Sequence, residues 1–204
     1  VTGSRGRFVV LEGLDGSGTT TQTALLAERL TGLGIRVHAT HEPSSGEIGL
    51  AVRRALQGTI HLTPQALALG FAADRLHHLA DMDRVLGEGV HVVCDRYVLS
   101  SLAYQAADGV DVAWLAEINR AAHAPDATVF LDTSVETCVA RIAGRGEAAE
   151  RFDGEAALRA TDAAYRRAIT SGVDLGELVT VDGEKQAEDV ADAIWDRLRG
   201  ILEP

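Results

Sequence analysis

Apolar and polar positions along the chain follow two different periods. Phe8 to Leu11 is a short apolar, β-branched run that reads as a buried strand. Beyond a glycine-rich turn, Leu26, Leu30 and Leu33 recur four and three residues apart, the spacing of one helix face. The alternation continues to the end of the chain. Ile35 to Ala39, Val90 to Cys94, Thr128 to Leu131 and Leu178 to Val181 read as further strands. Between them the pattern predicts helices over Ile48 to Leu56, Thr63 to Leu86, Leu99 to Gln105, Val112 to Ala122, Val135 to Ile142, about Glu155 to Ile169, and Ala187 to Ile201. Thr63-Pro64 opens the longest one, since proline is suited to a first helical turn. Strands separated by helices imply an α/β fold, a mostly parallel sheet covered on both faces. Ligands of such sheets sit at the carboxyl ends of the strands.

Composition narrows this picture. The 204 residues are 46% hydrophobic but only 4% aromatic, which suits one domain with an aliphatic core. A net charge of -11 argues against a nucleic acid polymer or an anionic membrane surface as partner. No apolar run is long enough for a membrane span and no signal peptide is visible, so a cytoplasmic enzyme is expected. Cys94 and Cys138 are isolated within apolar segments and read as buried free thiols. Lys185 is the only lysine, which leaves arginine as the other fixed positive side chain.

That scarcity bears on the first turn. Gly13-Leu14-Asp15-Gly16-Ser17-Gly18-Thr19-Thr20-Thr21 has the spacing of a phosphate-binding loop, but Thr19 stands where the motif carries lysine. The main-chain N–H groups and the helix start that cradle phosphate survive the change, and the lysine charge does not. Thr20 is the hydroxyl expected to reach a magnesium ion. An ordinary βα turn that holds no phosphate is the competing reading.

Polar residues cluster where the strands end: Asp15, Glu42-Pro43, Asp95-Arg96-Tyr97 and Asp132. A carboxylate there can hold magnesium or a sugar hydroxyl, and an arginine can grip a phosphate; helix capping is the plainer alternative for any one of them. In the long helix Phe71 and Arg75 share a face, which suits stacking on a flat base and bonding its edge. Spacing alone favours the other reading, a core phenylalanine beside a solvated arginine. His77 and His78 are adjacent, and read as surface or packing residues and not as metal ligands. From Arg141 to Asp153 the chain is rich in arginine and glycine, the composition of a lid that folds over phosphates, or of a solvated loop with paired charges.

In their order these segments resemble the thymidylate kinase family, over nearly the whole chain. The opening strand and loop, Glu42-Pro43 with Arg53, Phe71-Ala72-Ala73-Asp74-Arg75, Asp95-Arg96-Tyr97 with Ser100-Ser101-Leu102-Ala103-Tyr104-Gln105, Pro125-Asp126 to Leu131-Asp132, and Val181-Asp182-Gly183 carry the likeness. The resemblance implies a three-layer P-loop NTPase-like domain over residues 1-204 with a short lid at about 142-154. It implies transfer of the γ-phosphoryl group of ATP to dTMP, with magnesium held near Thr20 and Asp95, in a homodimer. Carried over by position, Gly13 to Thr21 and Arg141 bind ATP. Glu42, Arg53, Phe71, Arg75, Arg96, Ser100, Ser101, Tyr104 and Gln105 bind dTMP. Asp15 and Arg96 are catalytic, joined by Arg145 and Arg151 because Gly16 occupies a position where some members carry an arginine. Glu150-Arg151-Phe152-Asp153 fits the lid pattern only with a small shift. A catalytically impaired nucleotide-binding or regulatory homologue, and a kinase for another nucleoside monophosphate, are the alternatives.

Overall fold

The computed structural model describes residues 5–145, 151–152 and 154–203. Its five strands are β1 (Phe8–Gly13), β2 (Val37–His41), β3 (His91–Asp95), β4 (Ala127–Asp132) and β5 (Glu177–Asp182), all parallel, in the order β2-β3-β1-β4-β5. Among the described residues the helices are α1 (Thr19–Gly32), α2 (Glu47–Leu56), α3 (Pro64–Gly87), α4 (Val98–Ala107), α5 (Val112–Asn119), α6 (Val135–Arg145), α7 (Glu155–Ile169) and α8 (Ala187–Leu202). The expected α/β architecture is present.

Central strand β1 is buried along its whole length because both of its faces are covered. Val9 and Leu11 pack with α1 and α8 through Leu26, Leu30 and Ile194. Phe8 and Val10 point the other way, onto Leu79, Met82 and Leu86 of α3. The period of two thus splits one apolar run between two cores. A third cluster joins α4 to α7 and includes Leu99, Leu102, Leu158 and Tyr165. Asp126 fixes the start of β1 by accepting from Phe8 N at 2.8 Å and Arg7 Nη1 at 2.9 Å.

Most boundaries shift by a residue or two from the sequence expectation, and three of the shifts have a cause in the structure. Strand β2 is an edge strand that begins two residues later and runs to His41, because register with β3 pairs His41 with Asp95 and continues through Glu42 N to Asp95 O. Helix α5 stops at Asn119, whose amide turns back onto Leu115 O at 2.8 Å while the chain leaves through a turn closed by Ala122 N on Asn119 O. Helix α6 extends to Arg145, so the first residues of the expected lid are helical. Residues 146–150 and Asp153, with the Glu150 and Asp153 of the lid pattern, lie outside the described residues, as does the Arg145 side chain.

Candidate active site

The glycine-rich turn leaves β1 and enters α1 as the sequence suggests. Gly18 sits at φ 103°, a left-handed conformation that glycine adopts without a Cβ penalty, and α1 starts from it. Gly16 lies at φ 85°, and a Cβ there would stand 2.7 Å from Cys138 O, so α6 passes too close for a side chain. Ser17 N closes the turn on Leu14 O at 3.0 Å. The Leu14 side chain is buried in the core, so only its main chain can serve a nucleotide. Thr19 is also buried, whereas Thr20 and Thr21 are exposed.

These residues form one wall of a cavity of about 530 Å³ at the carboxyl edge of the sheet. Asp15, Gly16 and Gly18 to Thr21 line it together with Glu42, Arg53, Phe71, Arg75, Asp95, Arg96, Ser100, Ser101, Tyr104 and Gln105. The sequence reading gave no site role to His41, Ser44, Ser45, Tyr97 and Phe152, which also line it. The first four flank the end of β2 or β3, so strand ends carried to their last residue would have pointed to them. Phe152 packs edge-on against Tyr104 at 5.2 Å and had no local signal.

Arg96 directly follows β3 in a left-handed conformation, φ 70°, which turns its side chain across the sheet edge. Its guanidinium donates to Asp15 Oδ1 at 2.7 Å and Gly13 O at 2.8 Å, and lies 5.1 Å over the Tyr104 ring. Tyr165 of α7 completes the support: its hydroxyl is 3.0 Å from Gly13 O and 2.8 Å from Ser100 Oγ. Beneath them Glu12 is wholly buried and accepts from Tyr97 N and Ser100 N at 2.9 and 3.1 Å. Burial pushes the Glu12 carboxyl up, against the lowering effect of its Ser100 bond and the Arg96 charge. Burial likewise raises the Tyr104 hydroxyl well above its ordinary range, so it stays a neutral group, accepting from Asp15 N at 2.8 Å.

Arg75 corrects the reading from spacing. It is only 1% exposed, not solvated. Its Nε donates to Glu42 Oε2 at 2.8 Å, which neutralises the buried cation from a different element. Nη2 donates to Tyr97 O at 3.1 Å and Ser101 Oγ at 3.0 Å, and Nη1 to Asn119 Oδ1. His77 is exposed, and buried His78 packs against Thr40 Oγ1 through Nε2 at 2.8 Å. Asp74 accepts from Ser44 N and Ser44 Oγ at 2.6 and 2.5 Å, holding the turn after Glu42 against α3. Arg53 donates to Pro43 O at 3.3 Å.

The residues expected to hold magnesium suit a hard cation. Thr20 Oγ1 donates to Asp95 Oδ2 at 2.5 Å, while Asp95 Oδ1 is buried with no partner among the described residues. A hydroxyl beside an unsatisfied carboxylate oxygen is an oxygen donor set of the kind magnesium accepts with its waters. No group of three or more His, Cys, Asp or Glu side chains forms a metal cluster among the described residues.

Of the arginines expected on the donor side, Arg141 and Arg151 have described side chains. Arg141 reaches the loop from α6, with Nη1 3.3 Å from Ser17 O and Nη2 2.9 Å from Gly183 O. Arg151 is turned to Asp108 at 2.6 Å, a partner outside the segment, and does not line the cavity.

A family model described as thymidylate kinase matches residues 11–194. The chain belongs to the thymidylate kinase family. It is 40% identical over 163 residues to a probable thymidylate kinase of Methanococcus aeolicus, covering 80% of this chain and 79% of that one. It is 38% identical over 207 residues to a thymidylate kinase of Pelotomaculum thermopropionicum, covering 93% and 96%. A solved structure of thymidylate kinase from Candida albicans superposes with a TM-score of 0.84 at 24% identity, covering 97% of this chain and 92% of that chain, and attests the P-loop NTPase-like fold.

Proposed function

We propose that the chain is a thymidylate kinase in action as well as in family, transferring the γ-phosphoryl group of ATP to dTMP to give dTDP and ADP. The observation that carries this is the pair of arginine networks around one cavity, buried at Arg75 and partly buried at Arg96. Arg75, with Phe71 beside the same space, offers a hydrogen-bond donor and a ring to a flat base. Arg96, fixed on Asp15 and Gly13 O, offers its cation where an acceptor phosphate meets the loop. Arg53, Ser100, Ser101, Tyr104 and Gln105 complete the acceptor wall, and Gln105 Oε1 is buried there without a partner among the described residues.

Phosphoryl transfer is mostly positioning and charge neutralisation, so the chemistry asks for oriented donors rather than a covalent nucleophile. Main-chain N–H groups of Gly16 and of Gly18 to Thr20 would serve the donor phosphates, Ser17 N being spent on Leu14 O, while Asp15 orients Arg96 and the Glu12-Ser100-Tyr165 assembly keeps both in place. Magnesium bound by Thr20 and Asp95 would neutralise charge on the donor phosphates. Arg141, Arg145 and Arg151 remain our candidates for covering the donor side.

The same reading makes the chain one kinase domain that works as a homodimer in the cytosol. Leu69 and Leu76 are exposed seven residues apart, on one face of α3, which supports a self-association surface. Buried free thiols at Cys94 and Cys138 suit a reducing compartment. No described helix is long and apolar enough to cross a membrane.

The test is ADP release with ATP, magnesium and a panel of nucleoside monophosphates. We expect turnover of dTMP above the others. Binding of dTMP without turnover, while Thr19→Lys turns over, would mean instead that the loop change has silenced a kinase pocket; preferential turnover of another monophosphate would reassign the substrate.

A further inference from the structure

Arg75 carries five N–H donors in one plane, as any arginine does. Among the described residues four bonds use them: one from Nε to Glu42, two from Nη2 to Tyr97 O and Ser101 Oγ, and one from Nη1 to Asn119 Oδ1. A single donor is left for a ligand, the second N–H of Nη1. Because the guanidinium is planar, whatever holds the first Nη1 hydrogen also fixes where the second one points.

That holder is Asn119, the last residue of α5, 5% exposed and absent from the cavity lining. Its amide has a defined orientation. Nδ2 donates to Leu115 O at 2.8 Å, so Oδ1 must face the arginine, and neither contact survives exchange of the two atoms. Glu42 neutralises the guanidinium from one side, and a neutral acceptor on the other keeps a second buried carboxylate out of the site.

We propose that Asn119 is the positioning residue for base selectivity. Through Arg75 it presents one N–H to a carbonyl oxygen at C4 of a pyrimidine, as in thymine, and turns the same donor against the C4 amino group of cytosine. This rests on the reading that Arg75 meets the base of a nucleoside monophosphate. A site built to donate one hydrogen bond discriminates sharply against a ligand that offers a second donor in its place, since both donors are then left unpaired.

The test compares wild type, Asn119→Leu and Asn119→Asp for dTMP and dCMP dissociation constants by calorimetry, and for dTMP kinetics at saturating ATP. Asn119 borders a second cavity of about 280 Å³ on its far side, which gives leucine room. For Asn119→Leu we expect about ten-fold weaker dTMP binding, a matching rise in KM with kcat within about two-fold, and a preference for dTMP over dCMP reduced about ten-fold. Asn119→Asp, which keeps an acceptor for Nη1 but loses the bond to Leu115 O and adds a second buried carboxylate, should bind dTMP more tightly than Asn119→Leu and keep more of the preference over dCMP. A merely structural role lowers the active fraction, hence kcat, and leaves the binding ratio alone; that result would overturn the proposal. If Asn119→Leu does not fold, Asn119→Ala is measured in the same way. Arg75→Met separates the two layers: unchanged base preference in that variant removes the base-reading role itself, whereas loss of preference there with none in the Asn119 variants removes only the present inference.

Discussion

The two walls of the cavity are held by different means. On the acceptor wall, Arg75 and Arg96 are charged side chains anchored on α3 and just after β3, and every partner they have comes from a neighbouring element. On the donor wall the loop from Gly13 to Thr20 offers mainly its own backbone, and its nearby cation Arg141 is occupied by main-chain oxygens of that loop and of Gly183. Side-chain recognition thus depends on buried networks that folding completes before any ligand arrives, whereas the cradle depends on chain path. A charged side chain lost from the first wall removes a partner from a buried ion pair; one absent from the second, as at Thr19, leaves the N–H donors where they were.

The sharpest way to break this contrast is to unpair a buried charge on the acceptor wall. Glu42→Gln leaves the Arg75 guanidinium without its carboxylate, and should lower unfolding free energy by about 3–5 kcal/mol, read from urea melts. A loss below 1 kcal/mol, on the scale of an exposed pair, would mean that the network is not preset. Arg96→Met comes next. Turnover should fall about 10²- to 10³-fold, as for removal of one preorganised transition-state donor, with the ATP KM little changed. A change confined to the dTMP KM would make Arg96 a binding residue only.

Glu12 tests the same wall through pH. Its folded carboxyl is raised by burial from 4.5, so the stability linked to it is fully present below pH 4.5 and is lost as pH rises through the folded value. Wild type should therefore lose stability relative to Glu12→Gln as pH climbs from 4.5 toward neutrality. An opposite slope in paired melts would show that the Ser100 and Arg96 contacts outweigh burial.

Both the architecture and the loop could be read from periodicity and glycine spacing, because they are local signals. Residues whose roles are set by partners far away in the chain could not. Arg75 and Asn119 are 44 positions apart, and Ser44 and Asp74 are 30 apart, so nothing near either member announces the bond. The solvated arginine expected from the spacing of Phe71 and Arg75 failed for the same reason: the neutralising Glu42 arrives from the end of β2. Boundaries slipped where side chains decided them, as at Asn119, whose amide folds onto its own helix.

The donor wall predicts smaller effects. Thr19→Lys restores a charge-assisted contact that could contribute about 1.5–3 kcal/mol if nothing replaces it. With the N–H cradle intact, we expect less than about a ten-fold rise in kcat/KM for ATP. A gain of several hundred-fold would show instead that the backbone cradle alone is inadequate.

The smallest effect belongs to Arg151 and Asp108. Their 2.6 Å pair is about a quarter exposed on each side, at 27% and 22%, so solvent screens part of its attraction. Asp108→Asn should cost under about 1 kcal/mol in stability. It also frees the Arg151 guanidinium, and here the two walls can be compared directly. If Arg151 covers the donor phosphates during turnover, releasing it should raise kcat/KM for ATP slightly and leave the dTMP KM alone. If its place is beside Asp108 throughout the cycle, as the backbone bond from Arg151 N to Leu56 O and the packing of Phe152 on Tyr104 favour, the substitution loosens the acceptor wall and the dTMP KM rises instead. Measuring both KM values on this one variant decides to which wall the segment belongs.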